Sequence, residues 1–107
     1  MTSTPFNSMG LNADEISLRI QEWLTVHISE LLSLPVDQIL LDIPFDRYGL
    51  DSAAAVGMIG DLGDWLGLTL DPTLPYDYPT AVQLADHLAQ VVDAEGAKRA
   101  RTEKVDA

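Results

Sequence analysis

The chain contains no cysteine, so disulfides and thiolate metal sites are excluded and the redox compartment cannot be read from it. Basic residues are almost missing from its body. Up to residue 95 fifteen acidic side chains are set against Arg19 and Arg47 alone, a net −13, while Lys98, Arg99, Arg101 and Lys104 crowd into the last ten positions. Nucleic-acid binding is disfavoured, because it needs a basic surface against phosphates. No apolar run approaches the ~20 residues of a membrane span. Residues 1–10 lack the basic and apolar regions of a secretory signal. A soluble, cytoplasmic protein is expected. Strand-like alternation and internal repeats are missing too, as are a Gly-rich phosphate loop and a cluster of metal ligands at a recognised spacing. Asp42, Asp46 and Asp51 do not match the calcium-loop pattern, which wants acids at alternate positions, then Gly and a closing Glu.

What remains is a chain of 107 residues, 47% apolar, with a formal net charge of −11. That length suits one domain, with a modest core and no deep catalytic cavity. The charge favours a partner with a basic face, since opposite potentials steer encounter. Residues 1–11 mix Ser, Thr, Pro, Asn and Gly without periodicity and read as a flexible lead-in. A helix is expected from Ala13 to Leu32, with Asn12 as N-cap and Asp14 and Glu15 in its first turn. Its apolar face is Ile16, Ile20, Leu24, His27, Ile28 and Leu31, with Trp23 at the border. His27 reads as a packed core residue.

Pro35 ends that helix, and a long connection without obvious secondary structure runs to about Asp51. Val36, Ile39, Leu41, Ile43, Phe45 and Leu50 imply that it is pinned to the core. A second helix is expected from Ser52 to Leu66. Its inward face is Ala55, Ile59, Leu62 and Leu66, flanked by Val56 and Met58; Ala53, Ala54, Gly57, Asp61 and Asp64 face out. Gly60 and Gly63 fall near the inward side, where they would let another helix approach. Gly67 closes this helix, a Pro-bounded segment allows one brief turn, and Thr80 caps a final helix running to about Asp93. The stripe of that helix is Ala81, Leu84, Ala85, Leu88, Val91 and Val92, with His87 at the surface. Residues 94–107 read as a charged tail, a frayed end or linker, leaving 12–93 as the domain. The fold class is all-α: a small antiparallel bundle of three main helices plus one short one, with a long first loop.

Ser52 stands where that loop becomes a helix, beside free backbone N–H groups and the positive end of the helix dipole, a place that suits a hydroxyl carrying a phosphate. Either Asp51 or Ser52 would serve as the cap. A nucleophilic serine would need a base oriented by a third group, and neither His27 nor His87 is placed for that. Ser52 is not in a Gly-x-Ser-x-Gly elbow either. No catalytic residue and no metal ligand is assigned.

The segment Tyr48-Gly49-Leu50-Asp51-Ser52 closely resembles the modification motif of acyl carrier proteins. The resemblance continues through Val56, the Gly67-Leu68 helix end and Asp77-Tyr78-Pro79-Thr80, covering about residues 14–92. It implies a non-catalytic carrier in which Ser52, preceded by Asp51, takes 4′-phosphopantetheine from coenzyme A through a magnesium-dependent phosphopantetheinyl transferase. The arm's thiol then holds acyl groups as thioesters. The implied partners are that transferase, an acyl-loading enzyme (an acyl-AMP ligase or an acyltransferase), and ketosynthases or other acyl-processing enzymes with basic docking faces. Leu50, Ala53, Gly57, Asp61 and Asp64 are the docking residues expected around the arm. The chain departs from the family where Ala53 replaces the usual large aliphatic residue after the serine, where Gly57 replaces a charged residue, and where Ile59 and Gly60 stand in place of a frequent Arg. The run from Gly60 to Gly67 and Pro72-Thr73-Leu74 resemble carriers of polyketide and hybrid peptide pathways, some of which are loaded by fatty acyl-AMP ligases. Two alternatives stay open: a peptidyl carrier of non-ribosomal synthesis, against which Asp51 argues, and an unmodified acidic interaction domain.

Overall fold

A computed structural model of the chain describes residues 10–106, with side chains through residue 94. The expected flexible lead-in lies outside the described residues up to residue 9. Its last residue, Leu11, is half-buried and packs against the core.

Helix α1 spans Ala13–Leu32. Its start is fixed by a reciprocal pair: Glu15 N–H donates to the Asn12 side chain at 2.9 Å, and Asn12 N–H donates to the Glu15 carboxylate at 3.3 Å. Such a cap holds two otherwise unpaired donors and contributes about 1 kcal/mol. Ser33, in the left-handed region at φ 55°, ends the helix. Ile16, Ile20, Leu24 and Ile28 form the buried stripe. Leu31 does not join it and stays exposed, because the stripe continues at four-residue spacing to Leu32, which packs against the core. Ser17 takes the extra buried place, its hydroxyl donating to Asp86 at 2.6 Å and accepting from Gln21 at 3.1 Å.

The connection after α1 is not free of structure. It holds two 3-10 turns, Val36–Gln38 and Phe45–Tyr48, each following a proline whose fixed φ sets up the turn. Ile39, Phe45 and Leu50 are buried, whereas Val36 is exposed. Backbone bonds tie the loop to the start of the last helix: Phe45 N–H donates to Pro79 at 2.8 Å and Val82 N–H to Leu41 at 3.0 Å. An isolated antiparallel bridge, Pro44 with Thr80, lies between them.

Helix α2 spans Ser52–Leu66 and buries Met58, Ile59, Leu62 and Gly63. Val56 is exposed and Ala55 half-buried, so the inward face lies further along the helix than the stripe implied. Gly60 faces solvent, and a Cβ there would meet nothing within 4 Å. Gly63 is required by packing, although not against a helix: a Cβ would lie 2.7 Å from the Leu68 carbonyl oxygen and 3.3 Å from Leu70 Cγ. Gly67, at φ 74°, closes the helix and lets Leu68 N–H reach back to Gly63 at 2.9 Å.

Helix α3 is one turn, Leu74–Asp77, and α4 spans Ala81–Asp106. Thr80 accepts from Gln83 N–H at 3.2 Å, as its N-cap role requires. Ala81, Leu84, Ala85, Leu88, Ala89 and Val92 are buried; Val91 is only half-buried. The helix does not stop at Asp93. Beyond it the chain is rich in Ala, Glu, Lys and Arg, strong helix formers that extend the backbone past the end of the apolar stripe. α1 packs along α4 more extensively than along any other element. The result is an all-α bundle of three main helices and a short one, in which α2 is the helix that presents the site.

Candidate functional site

The site is set by a change of backbone direction. Gly49, at φ 84°, turns the chain out of the second 3-10 turn, and Leu50 anchors it in the core. Asp51 is the cap of α2: its carboxylate accepts Ala54 N–H at 2.8 Å and its carbonyl accepts Ala55 N–H at 2.9 Å. Ser52 is therefore the first helical residue, not the cap. The N–H groups of Ser52 and Ala53 belong to the first turn and have no intrahelical acceptor. Among the described residues the Ser52 hydroxyl has no hydrogen-bond partner, and the residue is exposed.

Four serines have described side chains, and their surroundings differ. Ser17 is buried and bonded to Asp86, and the Ser29 hydroxyl donates to the Leu34 carbonyl. Ser33 is exposed, but at the C-terminal end of α1, where the dipole repels an anion. Ser52 alone of these four combines an open hydroxyl with the positive end of a helix.

A cleft of about 300 Å³ opens beside it. It is an open surface cleft, not a deep cavity. Pro44, Pro72, Pro75 and Pro79 line the cleft together with Phe45, Leu50, Val56 and Tyr76. Rigid proline segments arriving from two sides do not close over the start of α2, and the gap is theirs. Among the described residues Asp46 and Asp51 are its only charged lining residues.

The other expected docking residues lie on the outward side of α2. Ala53, Gly57, Asp61 and Asp64 are exposed, whereas Leu50 is buried, with the core and one wall of the cleft as its neighbours. Asp61 is not isolated: one carboxylate oxygen lies 3.8 Å from His27 Nε2. His27 is not a core residue. It is about one-fifth exposed and stacks on Trp23 with ring centroids 4.7 Å apart, and Trp23 in turn stacks on Trp65 at 5.8 Å. This seam of stacked rings, with Asp61 at its edge, joins α1 to α2. His87 is likewise not a plain surface residue, since it stacks on Tyr78 at 4.2 Å.

Two titrating groups near the site are shifted. Burial, then the Asp42 charge, pushes the Tyr48 hydroxyl above its ordinary value; its oxygen is buried and has no hydrogen-bond partner among the described residues. Asp71 is held below the usual carboxylate range by the Thr73 N–H and hydroxyl, at 2.9 and 2.7 Å. Among the described residues no group of three His, Asp or Glu side chains is placed to hold a metal ion. None of the described helices is long and apolar enough to cross a membrane.

The site so built fits a phosphodiester-linked arm. It has an open hydroxyl, unused N–H donors next to it, and an apolar cleft alongside. Comparison with known proteins bears on this directly. Residues 22–88 match the family described as "Phosphopantetheine attachment site". The acyl carrier protein TtuC of Teredinibacter turnerae is 39% identical over 51 residues, 48% of this chain and 59% of that one. Erythronolide synthase EryA3 of Saccharopolyspora erythraea is 38% identical over 80 residues, 73% of this chain and 2% of that one. The chain thus spans about three-fifths of the first relative and a small fraction of the second. Among solved structures, the HMG-ACPI domain of the CurA module from Lyngbya majuscula superposes with a TM-score of 0.71 at 26% identity, covering 89% of this chain and 93% of that one. A free-standing peptidyl carrier protein from Acinetobacter baumannii gives 0.63 at 33% identity, covering 76% and 96%. The chain belongs to the phosphopantetheine-binding carrier family, as a non-catalytic carrier that resembles the acyl carrier domains of polyketide synthases.

Proposed function

We propose that Ser52 bears the 4′-phosphopantetheine arm and that the loaded chain carries acyl thioesters between enzymes of polyketide-type biosynthesis. The observation that carries this reading is the open Ser52 hydroxyl at the first position of α2, inside the family-matched segment. In the loading step the Ser52 oxygen bonds to the phosphorus of the phosphopantetheinyl group. The hydroxyl proton passes to the transferase, and 3′,5′-ADP leaves coenzyme A. The N–H groups of Ser52 and Ala53 then face an anionic phosphodiester at the helix terminus. Asp51 caps the helix and keeps the serine at its first position. The arm supplies the thiol; the chain supplies attachment, orientation and a surface for partners.

The partners that follow are a phosphopantetheinyl transferase, an acyl-loading ligase or acyltransferase, and ketosynthases or similar acyl-processing enzymes. Ala53, Gly57, Asp61 and Asp64 form the docking face, with acids to steer a basic partner and small residues to admit close approach. Since the arm's donor is coenzyme A, the chain would be loaded in the cytoplasm.

The likeness to a peptidyl carrier supports a second reading, with an amino-acid cargo on the same arm. Asp51 before the serine favours the acyl reading. Activation assays with fatty acids against amino acids, each with a cognate ligase, distinguish the two cargoes. The attachment itself is tested by intact mass after incubation with coenzyme A, magnesium and a phosphopantetheinyl transferase. A gain of one phosphopantetheinyl group is expected for the native chain and none for Ser52→Ala. No gain, or an equal gain in the variant, refutes it and leaves an unmodified acidic interaction domain as the better reading.

A further inference from the structure

The seam between α1 and α2 holds a titratable group that the attachment site does not use. The His27 ring lies flat on Trp23, 11° from parallel with centroids 4.7 Å apart, and Nε2 stands 3.8 Å from an Asp61 carboxylate oxygen. At that distance a neutral imidazole makes no hydrogen bond. A protonated one gains twice. It meets the Asp61 charge, and it lies over the face of Trp23 within the ~6 Å range of a cation–π contact. Histidine is the side chain whose charge ordinarily changes between about pH 5 and 8. Among the described residues no second carboxylate lies within 4 Å of the ring nitrogens. Glu30 is one turn on along α1, Asp64 one turn beyond Asp61 along α2, and Arg19 about two turns back on α1.

Asp61 faces two ways. Its side chain is 64% exposed, on the outward side of α2 proposed above to meet basic partners. Once paired with an imidazolium it attracts such a partner less, because the ring offsets its charge and repels the incoming cation. Resting on that docking reading, we infer that His27 is a positioning residue that sets docking strength by its proton. Charged, it draws the Asp61 carboxylate to the α1 side of the seam and weakens the docking of a basic partner. Neutral, it leaves the carboxylate to that partner. Ser52 lies nine residues before Asp61 and its Asp51 cap is untouched in both states, so docking changes while the transfer step does not.

The test is the loading of the apo chain by a phosphopantetheinyl transferase, with saturating coenzyme A and magnesium at low salt, at about pH 5.5 and about pH 8. The native chain, His27→Gln, Asp61→Asn and the double variant are compared. Dividing the native KM by that of His27→Gln at the same pH cancels the transferase's own titration. That ratio should be one at the higher pH and rise to about two to five at the lower, the range of an exposed ion pair, with kcat unchanged. Against an Asp61→Asn background the same ratio should stay at one. A native ratio that does not rise on acidification overturns the inference, since His27 then serves packing alone. A ratio that still rises without the Asp61 charge overturns it too. Asp61→Asn with His27 intact gives a second reading: its KM should exceed the native value at the higher pH and approach it at the lower. A disadvantage equal at both overturns the inference alone. A KM at the native value at the higher pH overturns the docking reading, and this inference with it.

Discussion

Three glycines in α2 make a test in which one substitution should stabilise at two positions and fail to stabilise at a third. Glycine in a helix interior is less favourable than alanine by about 1 kcal/mol. At Gly57 and Gly60 a Cβ meets nothing within 4 Å, so the whole of that difference should appear as added stability. At Gly63 the same Cβ would stand 2.7 Å from the Leu68 carbonyl oxygen and 3.3 Å from Leu70 Cγ. The first of these is backbone, held by the Leu68 N–H bond back to Gly63 at 2.9 Å, and cannot swing aside as a side chain would. Overpacking of this kind costs roughly 1–3 kcal/mol, which cancels or exceeds the helical gain. Thermal unfolding followed by far-UV circular dichroism should therefore show Gly57→Ala and Gly60→Ala raising the midpoint by about 4–8 °C each. Gly63→Ala should leave it unchanged or lower it. A Gly63→Ala variant stabilised as much as Gly57→Ala would refute the packing argument. If the bare outward face exists for partners, the stabilised Gly57→Ala chain should also show a raised KM with the transferase at unchanged kcat.

Other outcomes follow from single contacts. Asp51→Ala removes the α2 cap and should cost about 1 kcal/mol in urea unfolding, while Asp51→Asn, which can still accept from Ala54, should cost only a few tenths. Tyr48→Phe deletes a buried hydroxyl with no partner among the described residues and should be neutral or stabilising by up to about 1 kcal/mol. The same variant bears on alkaline pH. Because the fold raises the Tyr48 pKa, the stability linked to its protonated form is whole below the ordinary value of 10.0 and is lost as pH rises through the folded value; Phe should flatten that limb of the stability profile. Charge reversal at Asp61 and Asp64 should leave the circular dichroism unchanged and weaken loading at low salt, where steering by exposed charges is strongest; unchanged loading there would remove these acids from the docking face.

The bounds of α1 and α2 are legible in the residues because their signals are local. Asn12 with Glu15, Asp51 before a run of small residues, and Gly67 after Leu66 each act within one turn. The serine is legible for the same reason. Features that depend on distant partners are not. Ser17 is buried because Asp86, sixty-nine residues away, meets it. His27 leaves the core because Trp23 and Asp61 give it a better place at the seam. The cleft draws its prolines from the first loop and from the stretch around α3, and no periodicity reports such a meeting. The length of α4 was hidden in another way: an apolar stripe marks where a helix packs, and helix propensity alone carries the backbone on to Asp106.

If Ser52 is the attachment point, fragmentation of the modified chain will locate the arm there. After loading from coenzyme A, proteolysis and tandem mass spectrometry should place the phosphopantetheinyl group on Ser52 and leave Ser3, Ser8, Ser17, Ser29 and Ser33 unmodified. An arm found on any other residue, or a Ser52 peptide that stays at its unmodified mass while the intact chain gains the group, would rule Ser52 out as the attachment point.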